Sequence, residues 1–188
     1  MKNVAILASG SGSNAENIIH YFKNNQTVNI KLIITNNPSA FVIQRAINNK
    51  INYEIVSNDD LNNNKILEIV NNFEIDFIVL AGFLKKIPSL LIEKFPNKII
   101  NIHPALLPKY GGKGMYGDNV HKAVKEANEK ETGITIHYVN DKYDDGEIIF
   151  QDYCEITESD SVNDIASKVH NLEYLNYPKV IENILCKL

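Results

Sequence analysis

"VAILASGSGSNAENIIHYF", residues 4–22, is the stretch that decides the fold. It begins with an unbroken apolar run from Val4 to Ala8, which is typical of a strand buried on both faces. A glycine turn follows, and then four apolar residues recur with the spacing of one helix face: Ala15, Ile18, Ile19 and Phe22. A buried strand, a tight turn and an amphipathic helix predict the first unit of a parallel α/β sheet.

The same alternation continues to the middle of the chain. It predicts strands at 31–35, 53–56, 77–80 and 98–102, and helices at 40–49, 65–73 and 89–95. Beyond residue 115 the order changes to a helix near 120–127, strands at 132–139 and 147–156 that can pair antiparallel, and helices at 161–175 and 178–187. We expect a single-domain α/β fold over 1–188: a mostly parallel, doubly wound, Rossmann-like sheet with an antiparallel C-terminal extension and helices on both faces.

Length and charge limit the classes of protein to which the chain can belong. With 188 residues it can bury roughly 70% of the surface that its unfolded form exposes, so it needs no metal or disulfide for stability. A net charge of −4 provides no broad basic surface for nucleic acid or an anionic membrane. The sequence has no C-x-x-C motif, no signal-peptide pattern and no apolar run of membrane length. We expect a cytoplasmic monomer or homodimer with small-molecule substrates and no nucleic-acid or membrane partner.

The glycine turn matches the loose dinucleotide fingerprint as Gly10-x-Gly12-x-x-Ala15. A dinucleotide site also needs an acidic residue at the end of the second strand to bind ribose hydroxyls. That strand is followed by Asn36 and Asn37 instead, so we expect no NAD.

A single phosphate monoester fits the glycine turn better. Free amides and the positive dipole end at a helix N-terminus both favour a phosphate, and Gly12, Ser13 and Asn14 are the candidate residues. A structural reading also exists, because Ser13 to Glu16 has the S-x-x-E pattern of a capping box. Since a capping box occupies only some of the amides, both readings can hold together.

"NIHPALLPKYGGKG", residues 101–114, follows the fifth predicted strand. Ligands of open α/β sheets bind at the carboxyl ends of the strands, where Asn101 and His103 lie. Pro104 and Pro108 restrict the backbone beyond them. An amide donor beside a titratable imidazole can stabilise an oxyanion and move a proton, so we predict a site that acts on a carbonyl group.

A carboxylate near His103 is the expected third member of this site. "NDKYDDGE", residues 140–147, offers Asp141, Asp144 and Asp145, and a nearby negative charge should raise the pKa of His103. Aspartates before a glycine also occur simply as turn residues, and His103 alone is more often a structural histidine. His103, His121, His137 and Asp144 could also converge on a metal, but no short ligand spacing links them, so we expect none.

Five stretches in order along nearly the whole chain resemble the phosphoribosylglycinamide formyltransferase family, which are folate-dependent enzymes of purine synthesis. They are "VAILASGSGSN", "DFIVLAGFLKKI", "NIHPALLPKY", "TGITIHYVNDKYDDG" and "NLEYLNYP". The resemblance implies transfer of a formyl group from the co-substrate 10-formyltetrahydrofolate to the amine of glycinamide ribonucleotide.

The resemblance also implies roles for individual residues. Asn101, His103 and Asp144 look like the catalytic trio, with attack on the formyl carbon and an oxyanion stabilised by Asn101 and a protonated His103. The phosphate cradle of the family corresponds to Gly12, Ser13 and Asn14, and the sugar-binding residues to His170 and Glu173. The folate site implied by the family consists of Leu84, Lys85, Lys86, Ile87, Asn101, Asn140, Asp141 and Asp144.

Three other functions share part of this pattern. A formyltransferase that acts on initiator tRNA would need a basic nucleic-acid-binding appendage, which this acidic sequence does not offer. A formyltetrahydrofolate hydrolase would use the same trio with water as acceptor, and is expected to carry an N-terminal regulatory domain before the first strand. A nucleotide-binding module without catalysis would bind ligand without needing His103.

Overall fold

Seven strands form one sheet in this computed structural model, which describes residues 1–188. The strands are β1 (Lys2–Leu7), β2 (Val28–Thr35), β3 (Asn52–Ile55), β4 (Phe77–Leu80), β5 (Ile99–His103), β6 (Glu131–Tyr138) and β7 (Ile148–Glu155). The helices are α1 (Ser13–Phe22), α2 (Val42–Asn48), α3 (Asn58–Leu61), α4 (Asn64–Asn72), α5 (Ser89–Lys94), α6 (Asp118–Glu126) and α7 (Val162–Leu185).

The strand order is β3-β2-β1-β4-β5-β6-β7. The first five strands in this order pair in parallel, whereas β6 and β7 pair antiparallel. The predicted fold class is therefore confirmed. The chain winds outward from β1 in one direction and then restarts at β4 in the other, so the carboxyl ends of β1 and β4 lie side by side. Ligands of open α/β sheets bind at this kind of switch point.

Two apolar layers cover the sheet, one on each face. Alternate residues of β1 divide between them, because successive side chains of a strand point to opposite faces. Val4 and Ile6 pack with α1, α2 and α7, whereas Ala5 and Leu7 pack with α3, α4 and α5. All four side chains are fully buried, which explains why the run 4–8 is apolar without alternation.

The C-terminal segment differs from the prediction of two helices. Helix α7 runs without interruption through Pro178. A proline cannot donate to the carbonyl four residues earlier, which here belongs to Tyr174. That carbonyl instead accepts a hydrogen bond from Asn17 Nδ2 on α1, at 2.9 Å. The prediction was wrong because a neighbouring helix supplies a donor in place of the missing amide.

None of the helices has the combination of length and apolar character that a membrane span needs. The long helix α7 instead packs its apolar side chains against the sheet, and Tyr177 in its middle is completely buried.

Candidate active site

A cavity of about 610 Å³ opens at the carboxyl edge of the sheet, over the switch point. Its walls come from the end of β5 and the residue after it, at 101–104, from the loops that follow β1 and β4, at 10–14 and 81–84, and from the glycine-rich segment 112–117. His121, Tyr143, Asp144, His170 and Glu173 complete the lining. The cavity therefore joins the glycine turn to the residues predicted to act on a carbonyl group.

The glycine turn reaches α1 without the predicted capping box. The N-cap of α1 is Gly12, in a left-handed conformation with φ 73°, and no side chain caps the helix. Ser13 is already the first helical residue, and Glu16 forms an ion pair with Arg45 of α2 instead of folding back. The capping-box prediction was wrong because this tertiary ion pair takes the carboxylate away. More amides at the helix N-terminus are therefore left for an anion.

Helix α2 fixes the path of the glycine turn. A Cβ on Gly12 would collide with the side chain of Val42, so only glycine allows this close approach. Arg45 Nε donates to the carbonyl of Ser11 at 2.8 Å. Gly12, Ser13 and Asn14 all line the cavity at this turn.

Asn101 and His103 lie at the end of β5, two residues apart, so their side chains are on the same face of the sheet. Asp144 arrives from the segment between β6 and β7, with a left-handed backbone at φ 52°. Its Oδ2 lies 3.5 Å from His103 Nδ1, and its Oδ1 lies 3.5 Å from Asn101 Nδ2. The amide of Gly112 donates to Oδ2 at 2.9 Å and fixes the carboxylate. The structure thus brings all three predicted side chains together.

His103 is almost fully buried, and its two ring nitrogens have different surroundings. Nε2 lies 2.7 Å from the carbonyl oxygen of Tyr110. A carbonyl can only accept, so Nε2 carries the hydrogen and Nδ1 faces Asp144. Burial lowers the pKa of His103 more than Asp144 and the Tyr110 carbonyl raise it, and His137 lowers it further. Asp144 does raise this pKa, as predicted, but the expected charged form does not follow, because loss of solvent outweighs the neighbouring carboxylate.

The carboxylate of Asp144 has a pKa below its usual value. Burial alone would raise it, but His137, the charge of His103 and the Gly112 amide together have the larger effect. Asp144 is therefore ionised at neutral pH.

His137 is a member of this cluster that the sequence did not single out for this position. It lies directly opposite Asn101 in the antiparallel pairing of β5 with β6. His137 Nδ1 donates to the carbonyl of Tyr138 at 2.8 Å, which leaves Nε2 to accept from Asn101 Nδ2 at 3.2 Å. The sequence shows a histidine in the sixth strand, but the strand register that places it beside Asn101 is visible only in the fold.

Glu173 on α7 lies on the side of the cavity near the glycine turn. It is 5% exposed and accepts a hydrogen bond from Asn14 Nδ2 at 2.8 Å. His170 Nδ1 lies 3.5 Å from the same carboxylate oxygen. Burial raises the pKa of Glu173, while Asn14 and His170 partly offset that rise. The structure therefore connects two predicted groups, the glycine turn and the pair on α7.

The predicted folate residues do not all line the cavity. Leu84, Asn101 and Asp144 do so, and the amide of Leu84 donates to Ser9 Oγ at 2.9 Å. Ile87 is buried in the apolar layer beside α5. Asp141 accepts from Ser89 Oγ at 2.7 Å, outside the cavity wall. The remaining predicted folate residues also lie off the cavity wall: Lys85, Lys86 and Asn140.

Comparison with known proteins gives concordant matches. The family model described as formyl transferase matches residues 2–181. The phosphoribosylglycinamide formyltransferase of Bacillus subtilis (strain 168) is 37% identical over 194 residues, covering 98% of this chain and 95% of the relative. The chloroplastic phosphoribosylglycinamide formyltransferase of Arabidopsis thaliana is 37% identical over 96% of this chain. The chain spans 64% of the length of that plant relative and 61% of the length of the one from Vigna unguiculata.

Solved structures show the same likeness. The phosphoribosylglycinamide formyltransferase of Anaplasma phagocytophilum superposes with a TM-score of 0.90 and 31% identity, covering 99% of this chain and 88% of that one. The enzyme of the same name from Bacillus halodurans gives a TM-score of 0.89 and 34% identity, covering 98% of this chain and 95% of that one.

Proposed function

This chain belongs to the formyl transferase family, and from that membership we propose that it transfers the formyl group of 10-formyltetrahydrofolate to the amine of glycinamide ribonucleotide, a step of purine synthesis. One observation carries the proposal: a single cavity joins the cluster of Asn101, His103 and Asp144 to the free N-terminus of α1. One end suits a reacting carbonyl and the other suits a phosphate.

The substrate amine attacks the formyl carbon, so the formyl oxygen becomes negative and the amine nitrogen becomes positive. His103 is neutral before the reaction and presents Nδ1 toward Asp144, so Nδ1 can accept the amine proton. Asp144 then stabilises the imidazolium, and Nδ1–H can donate to the oxyanion. As the bond to the folate nitrogen breaks, that nitrogen keeps the electron pair and receives the proton.

Asn101 supplies a second donor for the oxyanion. One of its amide hydrogens is directed to His137, whereas the other has only a long contact of 3.5 Å with Asp144. A contact of that length is weak, so this hydrogen can turn toward the formyl oxygen at little cost. Holding the two substrates at contact distance can supply a further ~7 to 11 kcal/mol of the barrier.

The remaining binding roles follow the shape of the cavity. Backbone amides of Gly12, Ser13 and Asn14 would hold the phosphate, and Glu173 with His170 would accept and orient the ribose hydroxyls. The folate ring would lie along Leu84, Lys85, Lys86 and Ile87, with Asn140 and Asp141 as the facing wall. The cytoplasmic location and the monomeric or homodimeric state stay predictions of the sequence.

The test is to incubate the protein with both substrates and follow release of tetrahydrofolate. Replacing Asn101 or His103 by alanine should lower kcat by about 10²-fold, the effect of losing one oxyanion donor. Asn48→Ala and His20→Ala, at exposed positions outside the cavity, are matched controls that should keep full activity. Near-normal turnover in both site variants would contradict the residue assignment.

The same assay separates the alternative functions. Release of tetrahydrofolate without glycinamide ribonucleotide would indicate a hydrolase. Ligand binding without any release, in the unaltered protein, would indicate a binding module and would overturn the proposal.

A further inference from the structure

His121 is a buried side chain of the cavity to which the proposed mechanism gives no task. It lies in the first half of α6, is only 2% exposed, and lines the cavity. Its Nδ1 is fully enclosed and has no hydrogen-bond partner. Nε2 has no partner either, and unlike Nδ1 it is not fully enclosed. Buried polar groups are nearly always paired, so an unpaired imidazole in a cavity wall points to a missing ligand group.

His121 lines the same cavity as His170 and His103. Its ring is edge-on to that of His170, with ring centroids 6.4 Å apart, and His170 in turn contacts Glu173. Burial lowers the pKa of His121, the charges of His170 and His103 lower it further, and Asp118 raises it. His121 therefore lies beside the proposed ribose end of a cavity that continues to His103.

Between its reacting amine and its ribose, the substrate has few groups that can form a hydrogen bond. In glycinamide ribonucleotide, a single secondary amide joins the reacting amine to the ribose. That amide offers one N–H donor and one carbonyl acceptor. A neutral imidazole also offers one donor and one acceptor, so its accessible nitrogen can pair with either half of the amide, depending on the tautomer.

We propose that His121 binds the amide of the glycinamide group and thereby selects the ribonucleotide by the part that lies between its amine and its sugar. This inference rests on the proposed function, because it assumes that the substrate spans the cavity from the glycine turn to His103. His121 is a substrate-binding residue in this assignment and takes no part in proton transfer.

Binding measurements with two ligands test the inference. Glycinamide ribonucleotide carries the amide, whereas ribose 5-phosphate keeps the phosphate and sugar but lacks it. His121→Phe and His121→Leu remove the hydrogen-bonding nitrogens, and either variant that folds will serve. Each should weaken binding of glycinamide ribonucleotide by about 10-fold and leave ribose 5-phosphate within about 2-fold of the unaltered protein. His121→Gln keeps a donor and an acceptor and should recover part of the loss.

Two controls keep the result specific. His20→Phe makes the same replacement at an exposed position outside the cavity and should change neither affinity. Binding of 10-formyltetrahydrofolate, measured for every variant, reports whether the cavity is still folded. Equal weakening of both phosphate ligands, or no weakening of either, would overturn the assignment of His121. Failure of the unaltered protein to bind glycinamide ribonucleotide or to transfer formyl would instead overturn the proposed function.

Discussion

At the scale of single residues, the reaction centre depends on the pKa of His103, which burial lowers and the charge of Asp144 raises. His103 is buried beside Asp144, and the carboxylate restores only part of the basicity that burial removes. A histidine that is neutral but has a carboxylate at one ring nitrogen can accept a proton and then release it. This property belongs to the pair, because neither side chain alone provides it.

Replacing Asp144 by asparagine tests that balance. The change removes the charge that raises the pKa of His103, so this pKa should fall further below its ordinary value. An NMR titration of the imidazole resonances measures the pKa of His103 directly. An unchanged or higher pKa for His103 would show that Asp144 does not act on it through charge. The kcat of this variant should also fall, by about 10²-fold.

At the scale of elements, the approach of α2 to the glycine turn decides where a phosphate can bind. Gly12→Ala would place a methyl group against Val42 in addition to straining a backbone with φ 73°. The strain and the overpacking should together lower the free energy of unfolding by about 2 to 4 kcal/mol, and the affinity for ribose 5-phosphate should fall. Urea unfolding and calorimetry measure the two effects.

Gly82 provides the matched control for this experiment. It has a similar φ of 76°, but a methyl group there would meet no neighbouring atom. Gly82→Ala should therefore cost only the backbone strain, about 1 to 2 kcal/mol. Equal losses for both glycines would mean that Val42 does not restrict the turn.

Helix α7 is joined to strand β4 by one buried hydroxyl, that of Tyr177. Tyr177 Oη donates to the carbonyl of Leu80, the last residue of β4, at 2.8 Å. Tyr177→Phe would remove this buried hydrogen bond but leave the carbonyl its place in the parallel ladder with β5, so the free energy of unfolding should fall by about 1 kcal/mol. Tyr174→Phe, at a partly exposed hydroxyl on the same helix, should cost far less in the same urea experiment. A loss that is the same for both tyrosines would refute a structural role for the buried bond.

At the scale of the whole molecule, buried histidines connect stability to pH. The pKa values of His103 and His121 are both lowered in the folded protein, so their protonation favours unfolding. Their contribution to stability is present above the ordinary histidine pKa of about 6.5, and it is lost as the pH falls from there through the lowered pKa values of the folded protein. Glu173 acts in the opposite direction, because its pKa is raised by folding.

Comparing variants separates the contribution of His121 to the pH dependence of stability from that of Glu173. Between about pH 7.5 and pH 5.5, the free energy of unfolding should fall more for the unaltered protein than for His121→Phe. Urea unfolding at the two pH values provides the measurement, and His20→Phe should follow the unaltered protein. A His121→Phe variant with the full pH dependence would show that His121 is not neutral in the folded state.

The sequence alone determined the strands, most of the helices, the sheet class, and the position of Asn101 and His103 at a strand end. These features follow from the spacing of apolar residues and from glycine and proline, which act over a few neighbouring positions. Local pattern also suggested two features that proved wrong, the capping box of α1 and the break before Pro178. In both places a side chain from another helix is responsible: Arg45 pairs with Glu16, and Asn17 donates to the carbonyl of Tyr174.

Only the tertiary structure decided the pKa of His103, the pairing of Asn101 with His137, and the unpaired state of His121. Each of these depends on atoms that are distant along the chain, such as the antiparallel register of β5 with β6 or the walls that exclude water from an imidazole. Desolvation and strand register both depend on many such neighbours, so no short stretch of sequence is enough to predict them. The spacing of residues therefore fixed which groups stand at the edge of the sheet, and packing fixed their protonation and their partners.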